Sequence, residues 1–202
     1  MSANVIIAPR MQPLVVNFGP FVKTMTDEDF TKLCQLNSEL RIERTRGGDL
    51  IIMPPTGGET GRRNFELTVL FGEWARRDGT GIGFDSSTGF TLPTGAKRSP
   101  DLAWIRPSRW EQLTATEREG FPPLCPDFVA EIRSPSDVLN VLQEKVQEYT
   151  ASGAQLAWLI DPEEKAVYVY RPDAPMVRLE HPKTLSGDPV LSGFTLDLER
   201  VW

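Results

Sequence analysis

Asp127-Phe128-Val129-Ala130-Glu131-Ile132-Arg133 runs directly into Ser134-Pro135-Ser136-Asp137 and then into Val138 to Ala151, and this stretch decides how the chain reads. Alternation through its first seven residues puts Phe128, Ala130 and Ile132 on one face of a strand and Val129, Glu131 and Arg133 on the other. Ser134-Pro135 stops the strand. Ser136 is placed to cap a helix, Asp137 suits the positive end of its dipole, and Gly153 ends it. Stepping about 100° per residue gathers Val138, Val141, Leu142, Val146 and Tyr149 into one apolar stripe, with Lys145 near its centre. A lysine there must either snorkel or meet a carboxylate, because an unpaired buried ammonium is very costly. Glu131, on the preceding strand, is the available partner.

Upstream, Arg98-Ser99-Pro100-Asp101-Leu102-Ala103-Trp104 places a second acid at the threshold of a strand that runs to Ile105. Asp101 by itself could simply close a turn. Beside Glu131 it becomes half of a carboxylate pair, and two such groups facing one pocket repel unless protonated or bridged by a cation. With hard oxygen donors the natural ion is Mg²⁺ or Mn²⁺.

The flanking elements give the architecture. Thr26-Asp27-Glu28-Asp29 opens an amphipathic helix to about Asn37. Leu40 to Glu43 and Leu50 to Met53 flank Arg46-Gly47-Gly48-Asp49 and read as a β-hairpin. A second helix runs from about Thr60 to Arg77, followed by short strands at 81–85 and 89–92. Ser108 to Pro126 reads as loop with one helical turn near Glu111, and Leu156 to Ile160 and Ala166 to Tyr170 form a strand pair about Asp161-Pro162-Glu163-Glu164. The expected fold is mixed α/β, a curved sheet flanked by helices with an N-terminal helix and hairpin, in a single domain over 1–202.

Composition narrows function. With 22 Lys and Arg against 28 Asp and Glu the net charge is −6, so any grip on phosphate must come from a local patch. The two cysteines, Cys34 and Cys125, form no CxxC pair and exclude a cysteine zinc site, and the single histidine, His181, excludes a HExxH centre. Low cysteine use, no signal-like N-terminus and no run of eighteen apolar residues point to a soluble cytoplasmic protein with no membrane partner. Ser134-Pro135-Ser136-Asp137 lacks the glycines of a nucleophile elbow, and a triad would need His181 from a Pro-flanked loop, so it reads as caps rather than a catalytic serine.

Pro100-Asp101, then Glu131-Ile132-Arg133, then a lysine on the next helix resembles the PD-(D/E)XK nuclease superfamily. More narrowly the chain is similar to the Uma family of restriction-endonuclease-like proteins. The likeness extends from Gly58-Glu59-Thr60 and Asn64, through Arg98-Ser99-Pro100-Asp101, to Lys145, Tyr149 and Trp158-Leu159-Ile160-Asp161-Pro162. It implies a restriction-endonuclease-like core and an Mg²⁺- or Mn²⁺-dependent endonuclease hydrolysing DNA, with Asp101, Glu131 and the Ile132 carbonyl holding the ion. One departure matters. The superfamily's lysine two positions after the glutamate is Arg133 here, and arginine is a poor substitute for a compact donor to a nucleophilic water. Some branches move that lysine to the next helix, so Lys145 takes the role, Arg133 becomes phosphate clamp or orienter, and an upstream helix acid is expected from Glu59, or else Glu66. A basic rim is available in Arg41, Arg44, Arg46, Arg62, Arg63, Arg76, Arg77, Lys97 and Arg98. The alternatives are a decayed nuclease fold that binds nucleic acid or a protein partner without cleaving, and a homo-oligomer assembled through Trp158, Tyr168, Tyr170 and Trp202.

Overall fold

Phe128–Ile132 is a strand with both faces buried, and the rest of the chain is arranged around it. The computed structural model describes residues 12–16 and 25–202. In chain order the first elements are β1 (Leu14–Val16), α1 (Asp27–Leu36), β2 (Arg41–Arg44), β3 (Leu50–Met53) and α2 (Gly58–Asp78). Four short strands follow: β4 (Ile82–Asp85), β5 (Phe90–Thr91), β6 (Lys97–Arg98) and β7 (Leu102–Ile105). Then come α3 (Pro107–Trp110), α4 (Ala115–Glu119), β8 (Phe128–Ile132), α5 (Leu139–Ala151), β9 (Leu156–Asp161) and β10 (Ala166–Tyr170). The chain closes with β11 (Val177–Glu180), β12 (Thr184–Ser186), β13 (Thr195–Asp197) and a 3₁₀ turn over Leu198–Arg200.

Six strands form the main sheet in the order β11-β10-β9-β8-β7-β4. Among the described residues only β8 and β9 run parallel, and α5 supplies the crossover that a parallel pair requires. Phe128, Ala130, Ile132 and Trp158 face the core under α2, where Leu67, Phe71 and Trp74 meet Phe194 and Leu198 from the C-terminal segment. Val129, Ala103, Ala157 and Leu159 face the opposite core, under Val146 and Tyr149 of α5. Glu131 shares the parity of Val129 and is therefore carried to the α5 side, at 4% exposure, so this face is not the solvated one that its two charges would suggest.

The expected hairpin is present, β2 pairing antiparallel with β3 across a turn where Gly48 has φ 95°, a conformation that costs glycine little. It does not join the main sheet. Lys97 pairs with Arg44, and the short β6 ties the hairpin into a second sheet of order β1-β3-β2-β6-β5. Helix α1 begins as expected, with Thr26 and Asp29 in a reciprocal capping box.

Four expectations need correction. Ser136 does not cap α5: Val138 occupies that place without a side-chain cap, while the Asp137 carboxylate turns back to accept from the Ser134 amide (2.7 Å) and hydroxyl (2.8 Å). The apolar stripe is shorter than the wheel implies, because Val138 and Val141 are 56% and 60% exposed and only the later turns reach the sheet. Within Ser108 to Pro126 the expected turn is α3, and α4 was missed although Thr114 and Glu117 form a capping box legible as T-x-x-E. Trp158, Tyr168 and Tyr170 are core residues, so they offer no surface for an oligomer. No helix among the described residues is long and apolar enough to cross a membrane.

Candidate active site

Strand β2, the Arg98-Pro100 segment, the edges of β7 and β8, and α5 converge on one charged cluster. Leu102 faces Ala130 in the antiparallel β7–β8 register, and one step further the same pairing sets Asp101 against Glu131. Asp101 Oδ2 accepts from the Ile132 amide at 2.8 Å, which locks the carboxylate across the strand end. Its Oδ1 faces Asn64 Nδ2 at 3.4 Å and Arg41 at 3.7 Å.

Lys145 enters from α5. Its ammonium lies 2.7 Å from Glu131 Oε1 and 2.9 Å from Glu43 Oε1, so the misfit cation of the helical wheel meets the carboxylate expected for it and one more. Glu131 Oε1 also accepts from the Tyr149 hydroxyl at 3.0 Å. Burial pushes the Glu131 carboxyl up to about 7; Lys145 opposes that rise, while Asp101 and Glu43 add to it. Glu43 is driven the other way: burial resists ionisation, but Lys145 and Arg98 hold its carboxyl below the ordinary range. The Tyr149 phenol is raised well above its usual value by burial and the neighbouring carboxylates, so it remains a donor. Lys145 is kept charged, its two carboxylates outweighing the cost of burial.

Glu43 was missed in the sequence. It accepts from the Ser99 amide at 3.0 Å and from Arg98 at 3.1 Å as well as holding Lys145. The signal was faint: an acid that shares strand parity with Arg41 and Thr45 in Arg41-Ile42-Glu43-Arg44-Thr45, which on a hairpin reads as an outward face. Only the β2–β6 pairing turns that face inward. Arg98 is shared with Glu148, at 2.6 Å.

Other expected site residues lie elsewhere. Glu59 is 58% exposed and bound to Arg62 and Arg63 on its own helix, so it does not join the cluster; Asn64, one turn further along α2, reaches Asp101 instead. Arg133 turns away from Glu131 and is held by Asp161 at 2.7 Å and Glu163 at 3.4 Å. The basic rim is also thinner than the sequence suggests. Arg44, Lys97 and Arg98 are buried, the first two bound to Asp27, and Arg63 donates to the Val201 carbonyl.

Four carboxylates (Glu43, Asp101, Glu131, Glu148) thus meet three cations (Arg41, Arg98, Lys145), leaving a residual negative charge. Among the described residues no group of three or more His, Cys, Asp or Glu is arranged as a metal site. Two carboxylates with backbone and water oxygens nevertheless suit a hard ion such as Mg²⁺, which keeps much of its hydration. The buried Asn64 Oδ1, which has no hydrogen-bond partner, marks a further polar atom beside Asp101.

Residues 27–199 match a family described as "Uma2: Putative restriction endonuclease". The chain belongs to the Uma2 family. Its fold is shared with a solved Anabaena variabilis protein described as a putative nuclease belonging to DUF820: the TM-score is 0.68 at 21% identity, covering 81% of this chain and 90% of that one. No curated protein matches the chain. The Uma2 match spans all the residues of the charged cluster, from Arg41 to Tyr149.

Proposed function

We propose that this Uma2-family chain is a metal-dependent endonuclease that hydrolyses phosphodiester bonds in DNA. The observation that carries the reading is the buried pairing of Lys145 with Glu131, directly across the strand register from Asp101. Asp101, Glu131 and the Ile132 carbonyl are the groups that would hold Mg²⁺ or Mn²⁺, which when bound supplies a Lewis acid for the phosphoryl oxygens and a more acidic water.

The chain's own residues perform the rest. Glu131 works as a carboxylate, and burial makes it reluctant to ionise until a cation offsets the cost. Lys145 retains one N–H donor beyond those given to its two carboxylates, with which it would orient a water between itself and the Asp101 side. Glu43 fixes the lysine, and Arg98 fixes Glu43. Arg133 motivated the decayed-site alternative; the approach of Lys145 to within 2.7 Å of Glu131 supports the active reading instead.

Nicking of supercoiled plasmid DNA with Mg²⁺ or Mn²⁺, alongside an Asp101→Asn variant, tests the reading. Metal-dependent nicking lost in the variant is expected. Nicking that persists undiminished in Asp101→Asn, or none by the unaltered protein with either ion, overturns it.

A further inference from the structure

Arg41 is the cation in the cluster whose bonding is least complete. Arg98 gives Nε and both terminal nitrogens to Glu148 and Glu43, and Lys145 makes two ion pairs shorter than 3 Å. Arg41 by contrast donates to the Ser99 carbonyl through Nη2, approaches Asp101 only to 3.7 Å, and leaves a buried Nε without any hydrogen-bond partner. Its side chain is 28% exposed, against 10% for Asp101, so it forms the solvent-facing border of the carboxylate pair. A guanidinium has five N–H donors in a planar fork that matches two oxygens of a phosphate. Arg133 has both terminal nitrogens engaged by Asp161 and Glu163, whereas Arg41 has neither terminal nitrogen within 3.5 Å of a carboxylate.

We infer that Arg41 binds the non-bridging oxygens of the phosphodiester presented to Asp101 and Glu131, and is a catalytic residue for its hydrolysis. This rests on the nuclease reading above for the reaction, although the phosphate contact is measurable without cleavage. The Ser99 carbonyl aims the guanidinium, and at 3.7 Å it stops short of Asp101 Oδ1, whose hydrogen bond comes from Asn64 instead. Nη1 faces Asp101 across that gap, and Nε carries a donor with no partner. As negative charge grows on the phosphoryl oxygens in the transition state, a positioned guanidinium is held closest to where that charge develops. In a chain of net charge −6 it places one cation at the reacting group, beside the divalent ion that would reverse the local sign.

The test compares the full chain with Arg41→Ala and Arg41→Lys in three measurements. Affinity for a short duplex in Ca²⁺ is followed from low to high salt; Ca²⁺ affinity is measured without DNA; plasmid nicking is followed with Mg²⁺. For Arg41→Ala we expect the slope of log affinity against log salt to fall by about 1, as for loss of one phosphate contact. Ca²⁺ should bind as well as or better than before, because a cation beside Asp101 has gone. Nicking should fall on the order of 100-fold, with Lys restoring the salt slope but little of the rate. An unchanged salt slope in Arg41→Ala overturns the assignment, whatever happens to nicking. If the unaltered protein binds duplex but does not cleave, the nuclease reading fails, and the slope still decides whether Arg41 holds phosphate. A protein that binds no duplex in Ca²⁺ overturns both.

Discussion

Lys145 Nζ and Glu131 Oε1 lie 2.7 Å apart, with the Glu131 side chain 5% and the Lys145 side chain 12% exposed, and the same ammonium is 2.9 Å from Glu43. One lysine therefore neutralises parts of two buried carboxylates that would otherwise repel each other. Breaking such a pair is costly because it leaves uncompensated charge behind.

Lys145→Met should accordingly lose stability in a pH-dependent way. Without the cation Glu43 and Glu131 titrate higher, so the folded state holds protons that the unfolded chain releases, and stability falls as pH rises. A loss on the order of 3 kcal/mol at pH 8, shrinking markedly near pH 5, is expected from urea midpoints at both. Nicking should fall at least 100-fold. A variant that melts and cleaves like the parent would remove Lys145 from the mechanism.

Glu131→Gln should reverse part of the pH dependence of the metal-free protein. The Glu131 carboxyl is raised to about 7 from its ordinary 4.5, chiefly by burial. The folded state thus binds more protons between those values, and Glu131 costs stability progressively as pH climbs from about 4.5 to about 7, by roughly 3 kcal/mol at the upper end. In chelator the unaltered protein should lose stability relative to the glutamine variant between pH 5 and pH 8. Parallel pH curves would show that the carboxyl is not held high.

Glu43→Gln should alter activity although Glu43 lies behind Lys145. Its negative charge helps raise the Glu131 carboxyl, so removing it should move the acid limb of the pH–rate profile to lower pH. The maximal rate should fall about tenfold or more as Lys145 loses an anchor, with KM for DNA little changed. An unmoved acid limb would disconnect Glu43 from the site's titration.

Duplex affinity should depend strongly on a divalent ion. Asp101 and Glu131 repel phosphate until a cation reverses the local sign. Binding with Ca²⁺ should far exceed binding in chelator, and the gap should narrow when both residues become amides. The double variant should bind somewhat better than the parent in chelator, since it lacks the repulsion. Equal binding by the parent in Ca²⁺ and chelator would leave the metal site without support.

Several elements were legible because their signals are local. The alternation of Phe128 to Ile132, the capping box of Thr26 and Asp29, and the glycines of the β2–β3 turn each act within a few residues, and each appears in the structure. Lys145 was legible for a related reason: a charge inside an apolar stripe conflicts with its surroundings, and the conflict itself predicts a partner. Ser136 and Glu59 misled because a cap residue or a first-turn acid looks the same whether it serves a helix end, an adjacent turn or a site. Arg133 misled because strand parity ends with the strand, and β8 stops at Ile132.

The amino-acid sequence by itself determined the mixed α/β class, the carboxylate at each of two strand positions and the cation on the following helix. These follow from periods of two and 3.6 residues and from the cost of burying a lone charge. Tertiary structure decided which charges share a site. Glu43, Arg41, Arg98 and Asn64 come from segments distant in the chain, and their meeting with Asp101, Glu131 and Lys145 depends on how the β2–β6 pairing and helix α2 are set against the edge of the main sheet. Such long-range pairing leaves no periodic trace along the chain, because the attraction between these groups acts through space and is felt only once the backbone has brought them together.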